Sequence, residues 1–235
     1  MDKAIAVIPA RGGSKRLPKK NIKPLLGVPM IGYTIQAALE CGLFERVVVS
    51  TDCPEIAEVS QKLGAEVPFI REAGIADDIT PVSAATLDAL NRVDPEGSRY
   101  GYVCQLMANC PMRDAGDISA SYEHFTQHGA GAQISVTRYG WLNPWWAMEM
   151  DEGQPLRPVF KEKLTARSQD LADLFCPTGA IWWAKSEVLR AEGTFHTDEK
   201  IGCEINWVNA VDIDDENDWA MAEFLMSRRL AGESS

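Results

Sequence analysis

The feature that most constrains the fold is a short apolar strand followed at once by a cationic, glycine-rich loop. Residues 4–8 read Ala-Ile-Ala-Val-Ile and end at Pro9, which predicts a buried strand. Residues 11–23 hold two adjacent glycines and six cations, with no acid among them: Arg11, Gly12, Gly13, Lys15, Arg16, Lys19, Lys20 and Lys23. Glycines permit close backbone approach, and turn N–H groups favour anions. The loop is predicted to bind phosphate at the carboxyl end of the strand.

The loop matches neither the Gly-x-x-x-x-Gly-Lys-Ser/Thr pattern nor Gly-x-Gly-x-x-Gly, so the residues alone leave open a solvated basic loop. Six of the 23 basic residues nevertheless lie in this loop, although the net charge is −11. An acidic chain argues against nucleic-acid or membrane-surface binding. The local concentration of positive charge therefore indicates one small anionic ligand, such as a nucleoside triphosphate.

Short apolar strands alternate with amphipathic helices along the chain. The pattern predicts strands at 47–49, 66–70, 102–107 and 131–137, and helices at 29–42, 54–63, 81–93, 117–128 and 219–230. Such alternation indicates βαβ units and a parallel sheet. Asp52, at the end of a strand, is predicted to cap the next helix, with ligand binding as the alternative.

Composition points to a cytoplasmic protein. No apolar run approaches the roughly 18 residues of a membrane span, and the N-terminus enters a strand without a signal-peptide pattern. The six cysteines are scattered, which is typical of reduced thiols and argues against a zinc site.

A pair of aspartates near the C-terminus forms the second candidate site. Asp212 and Asp214 flank Ile213, so as a strand end they share one face. Two carboxylates on one face are suited to Mg²⁺. The alternative is that Asp214 or Asp215 caps the final helix.

Two strings carry a family resemblance. Ile-Pro-Ala-Arg-Gly-Gly-Ser-Lys (8–15) followed by Lys-Asn-Ile (20–22) resembles the N-terminal signature of the acylneuraminate (CMP-sialic acid) cytidylyltransferases, and Asp-Ile-Asp resembles their metal motif. The resemblance implies one domain over residues 1–235. Its fold would be a Rossmann-like mixed α/β sheet of the nucleotide-diphospho-sugar transferase type, with a small dimerisation insertion at about 139–178. The implied reaction transfers CMP from CTP to a nonulosonic acid, an acidic nine-carbon sugar, releasing pyrophosphate, for lipopolysaccharide or capsule synthesis.

The resemblance also assigns roles to residues. Nucleotide contacts are implied for Ala10, Arg11, Gly12, Gly13, Ser14, Lys15, Asn21, Arg71 and Ser83, and catalytic roles for Arg11, Lys20, Asp212 and Asp214, the two aspartates holding Mg²⁺. The family serine aligns with Val82, so Ser83 or Thr80 would replace it.

Sugar contacts are implied for Met107, Asn109, Gln169, Asp170 and Thr178. Met107 replaces a family glutamine, Asn109 a threonine and Thr178 an asparagine. These departures point away from N-acetylneuraminate itself.

Five of the seven tryptophans, at 141, 145, 146, 182 and 183, lie within about forty residues. They indicate either a local aromatic core or an arm buried between subunits, and the resemblance favours a homodimer. The remaining functional alternatives are a Kdo-type cytidylyltransferase, a metal-dependent glycosyltransferase and a non-catalytic nucleotide-binding relative.

Overall fold

A six-stranded sheet organises the chain in the computed structural model, which describes residues 3–72 and 81–232. Its strands are β1 (Ala4–Pro9), β4 (Phe44–Ser50), β5 (Tyr102–Gln105), β6 (Ala132–Arg138), β9 (Phe175–Lys185) and β10 (Ile201–Glu204), in the spatial order β10-β6-β9-β5-β1-β4. Two short hairpins lie outside it, formed by β2 (Pro24–Leu25) with β3 (Val28–Pro29) and by β7 (Met148–Glu149) with β8 (Arg157–Pro158).

The sheet is mixed. β1 runs parallel to β4 and β5, and β10 runs parallel to β6, whereas β9 is antiparallel to both neighbours. The predicted mixed α/β sheet is confirmed, and β9 is the strand that departs from the parallel arrangement indicated by the βαβ pattern. That strand returns from the insertion, so no crossover helix precedes it to set it parallel.

Helices cover both faces. They are α1 (Met30–Glu40), α2 (Pro54–Lys62), α3 (Val82–Val93), α4 (Ala115–His128), α5 (Ser186–Glu192) and α6 (Glu216–Leu230). The buried strand β1 sends Ile8 into the layer that holds Phe125 of α4, and Val7 into the layer that holds Leu90 of α3. This alternation over two apolar layers is what a central strand of an α/β sheet requires.

The long helices agree with the sequence prediction, and their caps explain the shifted starts. Asp114 accepts a hydrogen bond from the backbone of Asp117, and Asp215 accepts from those of Asn217 and Asp218, each within a reciprocal capping box. Each box begins its helix before the first apolar residue of the periodic pattern.

The strand predicted at 66–70 is wrong as a continuous strand. Within this segment only Glu66 and Ile70 form single parallel bridges, Glu66 to Val48 of β4 and Ile70 to Thr51, which follows β4. Pro68 lies between them and has no backbone N–H to donate to a ladder.

The insertion is irregular and open. It holds the β7–β8 hairpin and short 3₁₀ turns at Pro144–Trp146, Lys161–Lys163 and Ser168–Asp170. Trp182 and Trp183 belong instead to β9 and are buried in the two core layers, so part of the tryptophan cluster is a local core. Within 3–72 and 81–232, no helix is both long and apolar enough to cross a bilayer.

Candidate active site

The cationic loop and the C-terminal aspartates meet at one cleft. The cleft encloses about 200 Å³ and is lined by Pro9, Arg11, Ser14, Lys15, Arg16, Leu17, Lys20, Asn21, Met107, Ala108, Asn109 and Asp214. Its floor is a third apolar cluster in which Leu17 of the loop packs with Ile213 and Trp219. Burial of these side chains therefore brings together two segments about two hundred residues apart in sequence.

Asp214 is the electrostatic centre of the cleft. Lys20 Nζ donates to Asp214 Oδ1 at 2.9 Å and to the carbonyl of Ile213 at 2.5 Å, while Arg16 Nη2 donates to Asp214 Oδ2 at 2.5 Å. Burial acts to raise the pKa of Asp214, but the hydrogen bonds and charges of Lys20 and Arg16 outweigh it and lower that pKa. Asp214 is therefore ionised at neutral pH.

Asp212 has the opposite electrostatics. Its side chain reaches solvent, yet surrounding protein and the neighbouring charge of Asp214 raise its pKa to about 6. Asn109 Nδ2 donates to Asp212 Oδ1, and lies 3.3 Å from the Ile213 carbonyl and 3.4 Å from Asp214 Oδ1. One amide therefore contacts both carboxylates, although residues 211–214 form no strand and the predicted strand end is wrong.

The donor set fits a magnesium ion. Helix capping falls to Asp215, whose Oδ1 accepts from Asn217 N and Asp218 N at 2.9 and 3.1 Å. The carboxylates of Asp212 and Asp214 therefore have no part in capping α6, and Asp214 lines the cleft. No cluster of three or more His, Cys, Asp or Glu suited to a metal occurs in the described part of the chain. Magnesium commonly takes only one or two protein carboxylates together with phosphate oxygens and water, and a cation would relieve the repulsion within the pair.

The glycine loop is anchored by Asp52. Asp52 Oδ1 accepts a hydrogen bond from Gly12 N at 2.9 Å, whereas α2 has no side-chain cap at its N-terminus. The prediction that Asp52 caps α2 is therefore wrong, because its carboxylate points toward the loop. A Cβ on Gly12 would lie 2.9 Å from Cys53 Cβ, while one on Gly13 would meet nothing within 4 Å. Close packing on the residue before α2 therefore requires glycine at position 12.

Two further residues that were predicted to contact the nucleotide are buried. Arg71 is 5% exposed, and its Nη2 lies 3.9 Å from Asp52 Oδ1. Its Nε has no hydrogen-bond partner within 3–72 and 81–232. Burial lowers the pKa of Arg71, against the opposing charge of Asp52. Ser83 lies buried in the first turn of α3, and Thr80 falls outside the described residues. Both nucleotide roles remain predictions.

The residues predicted to contact the sugar are divided between the cleft and other places. Met107 and Asn109 line the cleft. Gln169 and Asp170 are exposed on the insertion, where Asp170 Oδ2 accepts from Arg167 Nε at 2.7 Å. Thr178 is buried, with its Oγ1 2.7 Å from Ser135 Oγ. The last three are not among the residues lining the cleft, and their sugar contacts remain predictions.

Two residues support the cleft in ways that the sequence prediction did not include. Asn109 was predicted only as a sugar contact, and the structure puts its Nδ2 against the aspartates. Arg113 is 1% exposed, and its Nη2 donates to Thr34 Oγ1 at 2.6 Å and lies 3.4 Å from the Cys110 carbonyl. A fully buried arginine holding carbonyls of the 107–110 segment supports the cleft from below. Its position after Pro111 in a family-like string was the available signal.

A cationic loop facing paired aspartates across one cleft of a mixed α/β sheet defines a nucleotide-binding class of protein. A sequence profile of the cytidylyltransferases matches residues 5–142. The chain is 34% identical over 185 residues to the pseudaminic acid cytidylyltransferase of Campylobacter jejuni serotype O:23/36, with 79% of each chain covered. It is 32% identical over 224 residues to the CMP-N,N'-diacetyllegionaminic acid synthase of Legionella pneumophila, covering 94% of this chain and 95% of that protein.

The fold has matches among solved structures. CMP:2-keto-3-deoxy-manno-octonic acid synthetase complexed with CTP superposes with a TM-score of 0.71 at 17% identity, over 97% of this chain and 99% of that one. The chain belongs to the cytidylyltransferase family and is a nucleotidyltransferase. The predicted resemblance, fold class and enzyme class are thereby confirmed.

Proposed function

We propose that this enzyme transfers CMP from CTP to a nonulosonic acid in a magnesium-dependent reaction in the cytoplasm. The observation that carries the proposal is the meeting of Lys20 and Arg16 with Asp214 in the cleft. It supports the proposal because nucleotidyl transfer between two anions requires positive charge, which these cations and a metal ion on Asp214 would supply. The curated relatives, named for pseudaminic and legionaminic acids, support the sugar class.

The cationic side chains of the loop would provide most of the contacts to the triphosphate. Arg11, Lys15 and Lys20 line the cleft and would bind the β- and γ-phosphates, so that their charge stabilises the departing pyrophosphate. Lys20 is the pivotal group, because its ammonium already joins the loop to Asp214. Asn21 Nδ2 donates to the Arg11 carbonyl at 3.0 Å and thereby fixes the backbone that carries Arg11.

Asp212 and Asp214 would hold the ion, with the Asn109 carboxamide beside them. Magnesium, when bound, supplies positive charge at the α-phosphate and favours ionisation of the attacking hydroxyl. The chain itself would orient the two substrates, because the loop cations and Asp214 line one cleft and are held together by direct contacts.

The acceptor sugar is expected on the Met107 side of the cleft. Met107 lines the cleft and packs against Gly179, where a Cβ would lie 2.8 Å from Met107 Cγ. The apolar thioether of Met107 packs more favourably against a deoxy or N-acyl group of a sugar than against its hydroxyl groups. A diamino nonulosonic acid is therefore the first acceptor to test.

The test measures pyrophosphate release from CTP with a panel of acceptors: pseudaminate, N,N'-diacetyllegionaminate, N-acetylneuraminate and Kdo. Magnesium-dependent release with at least one nonulosonate, and formation of the matching CMP-sugar by mass spectrometry, is the expected result. Release with Kdo alone would assign the alternative acceptor. Binding of CTP without release for any acceptor would contradict the proposal and favour a non-catalytic relative.

A further inference from the structure

Two of the three histidines lie one helical turn apart, in the last turns of α4. His124 and His128 occupy positions i and i+4, and their ring centroids are 4.2 Å apart with planes inclined by 30°. Neither belongs to the cleft. This spacing brings two imidazoles onto one helix face, where they can act together.

The hydrogen bonds around these rings fix which nitrogen carries the proton. Gln133 Nε2 donates to the Ser121 carbonyl at 2.9 Å, so its Oε1 faces His124, whose Nδ1 lies 2.7 Å away. An amide oxygen only accepts, so His124 Nδ1 must carry the hydrogen.

The same reasoning applies to His128. Its Nδ1 lies 2.8 Å from the His124 carbonyl, which can only accept, so this Nδ1 also carries the hydrogen. In the neutral imidazoles both Nε2 atoms therefore keep a lone pair. A ligating histidine typically has this arrangement, with one nitrogen donating to an oxygen and the other free for a metal.

The surroundings favour a cation. His128 is the last residue of α4, and Gly129 follows it as the C-cap, where the helix carries partial negative charge. His124 is half-buried and His128 is exposed, so an ion has access from solvent. The half-buried ring is also held by the Ser121–Gln133 pair, which reduces the ordering that binding must impose.

We propose that His124 and His128 bind one divalent transition-metal ion through their two Nε2 atoms, with water in the remaining positions. Imidazole nitrogen selects Ni²⁺, Cu²⁺ or Zn²⁺ over Mg²⁺. This site is therefore chemically distinct from the aspartate pair, which offers only oxygen. The bound ion would hold the end of α4, and His124 would connect the ion to β6 through its hydrogen bond with Gln133.

The test is calorimetric titration of the full-length protein with Ni²⁺ in a buffer containing excess Mg²⁺, which occupies the aspartate pair. The wild type is expected to bind one equivalent of Ni²⁺, and H124Q and H128Q each to bind at least tenfold more weakly. The third histidine provides the matched control, because H196Q keeps both ligands and should bind as the wild type does. The cysteines are the same in all four proteins, so differences in Ni²⁺ affinity arise from the histidine substitutions.

The exposed position of His128 means that H128Q should keep its fold, which circular dichroism verifies. Equal Ni²⁺ affinity in H128Q and the wild type would overturn the proposal. So would the absence of saturable Ni²⁺ binding in the wild type, or a loss of binding in H196Q equal to that in H128Q.

Discussion

Asp212 and Asp214 show how two neighbouring carboxylates take opposite electrostatic roles. The pKa of Asp212 is raised to about 6 by desolvation and by Asp214, while that of Asp214 is lowered by Lys20 and Arg16 despite its burial. An acid with a raised folded pKa costs stability once ionised. That cost is absent below its ordinary value of 3.8 and complete above about 6.

We therefore expect Asp212→Asn to stabilise the metal-free protein at pH 8 while reducing turnover by orders of magnitude. Because the side chain reaches solvent, screening limits the gain to about 1 kcal/mol, or roughly 2–4 °C in Tm for a chain of this size. Asp214→Asn is the opposite-sign control and should lower Tm, since it removes an ionised group that is stabilised by two cations. Thermal unfolding in EDTA measures both. A lower Tm for Asp212→Asn would contradict the assignment.

Asn109 offers a second test of the aspartate pair. Its Nδ2 contacts Asp212, Asp214 and the Ile213 carbonyl, so Asn109→Leu removes the shared polar partner of both metal ligands. Loss of such a partner typically weakens metal affinity about 10–100-fold. We expect the Mg²⁺ concentration for half-maximal pyrophosphate release to rise by at least about tenfold. Asn109→Thr retains a hydroxyl and should change it less. An unchanged magnesium requirement in Asn109→Leu would show that Asn109 does not support the ligands.

The glycine loop can be tested by two adjacent substitutions of equal chemistry. Gly12→Ala would place its Cβ 2.9 Å from Cys53 Cβ, whereas Gly13→Ala meets nothing within 4 Å. Overpacking of this kind costs about 1–3 kcal/mol, so Tm should fall by several degrees in Gly12→Ala and stay unchanged in Gly13→Ala. Thermal unfolding compares the two without depending on activity. Equal Tm values for Gly12→Ala and Gly13→Ala would mean that Gly12 is not closely packed against Cys53 in solution.

Local signals in the sequence predicted most of the elements. The sequence predicted β1 from its apolar run and α1 to α4 from their helical periodicity. It also indicated an aspartate cap before α6. Residues 66–70 were predicted as a strand because most of them are apolar. The structure has only isolated bridges there, since Pro68 has no backbone N–H to donate. The antiparallel direction of β9 could not be predicted, because it depends on the path of an irregular insertion rather than on any local pattern.

The site was predicted as two motifs but not as one contact network. The order of the motifs indicated that they meet, yet only the packing of Leu17 with Ile213 and Trp219 shows how. Asp52 was misassigned because a strand-end carboxylate can serve either a helix start or a neighbouring loop, and the choice depends on backbone that lies forty residues earlier. Such long-range partners leave no trace in residue spacing.

The remaining question concerns assembly, because the insertion leaves much apolar surface in water. Trp141 is 88% exposed and Met150 79% exposed. Other large apolar side chains are exposed nearby: Leu142, Trp146, Met148, Leu156, Val159 and Leu164. Exposed apolar side chains concentrated in one segment are typical of a protein–protein interface, and we propose that the insertion joins two copies of the chain into a homodimer.

We expect light scattering after gel filtration, or sedimentation velocity, to give a particle of twice the 25.9 kDa chain mass. Trp141→Asp replaces an 88% exposed apolar side chain of the insertion with a charge, whose desolvation cost at the interface should convert the dimer largely to monomer. Trp207 supplies the matched control, because it is 55% exposed but lies outside the insertion, so Trp207→Asp should leave the dimer intact. A monomeric wild type would contradict the homodimer, and dissociation by Trp207→Asp rather than Trp141→Asp would place the contact elsewhere. Dissociation without loss of the single-chain fold is expected, since the three apolar clusters of the core lie apart from Trp141.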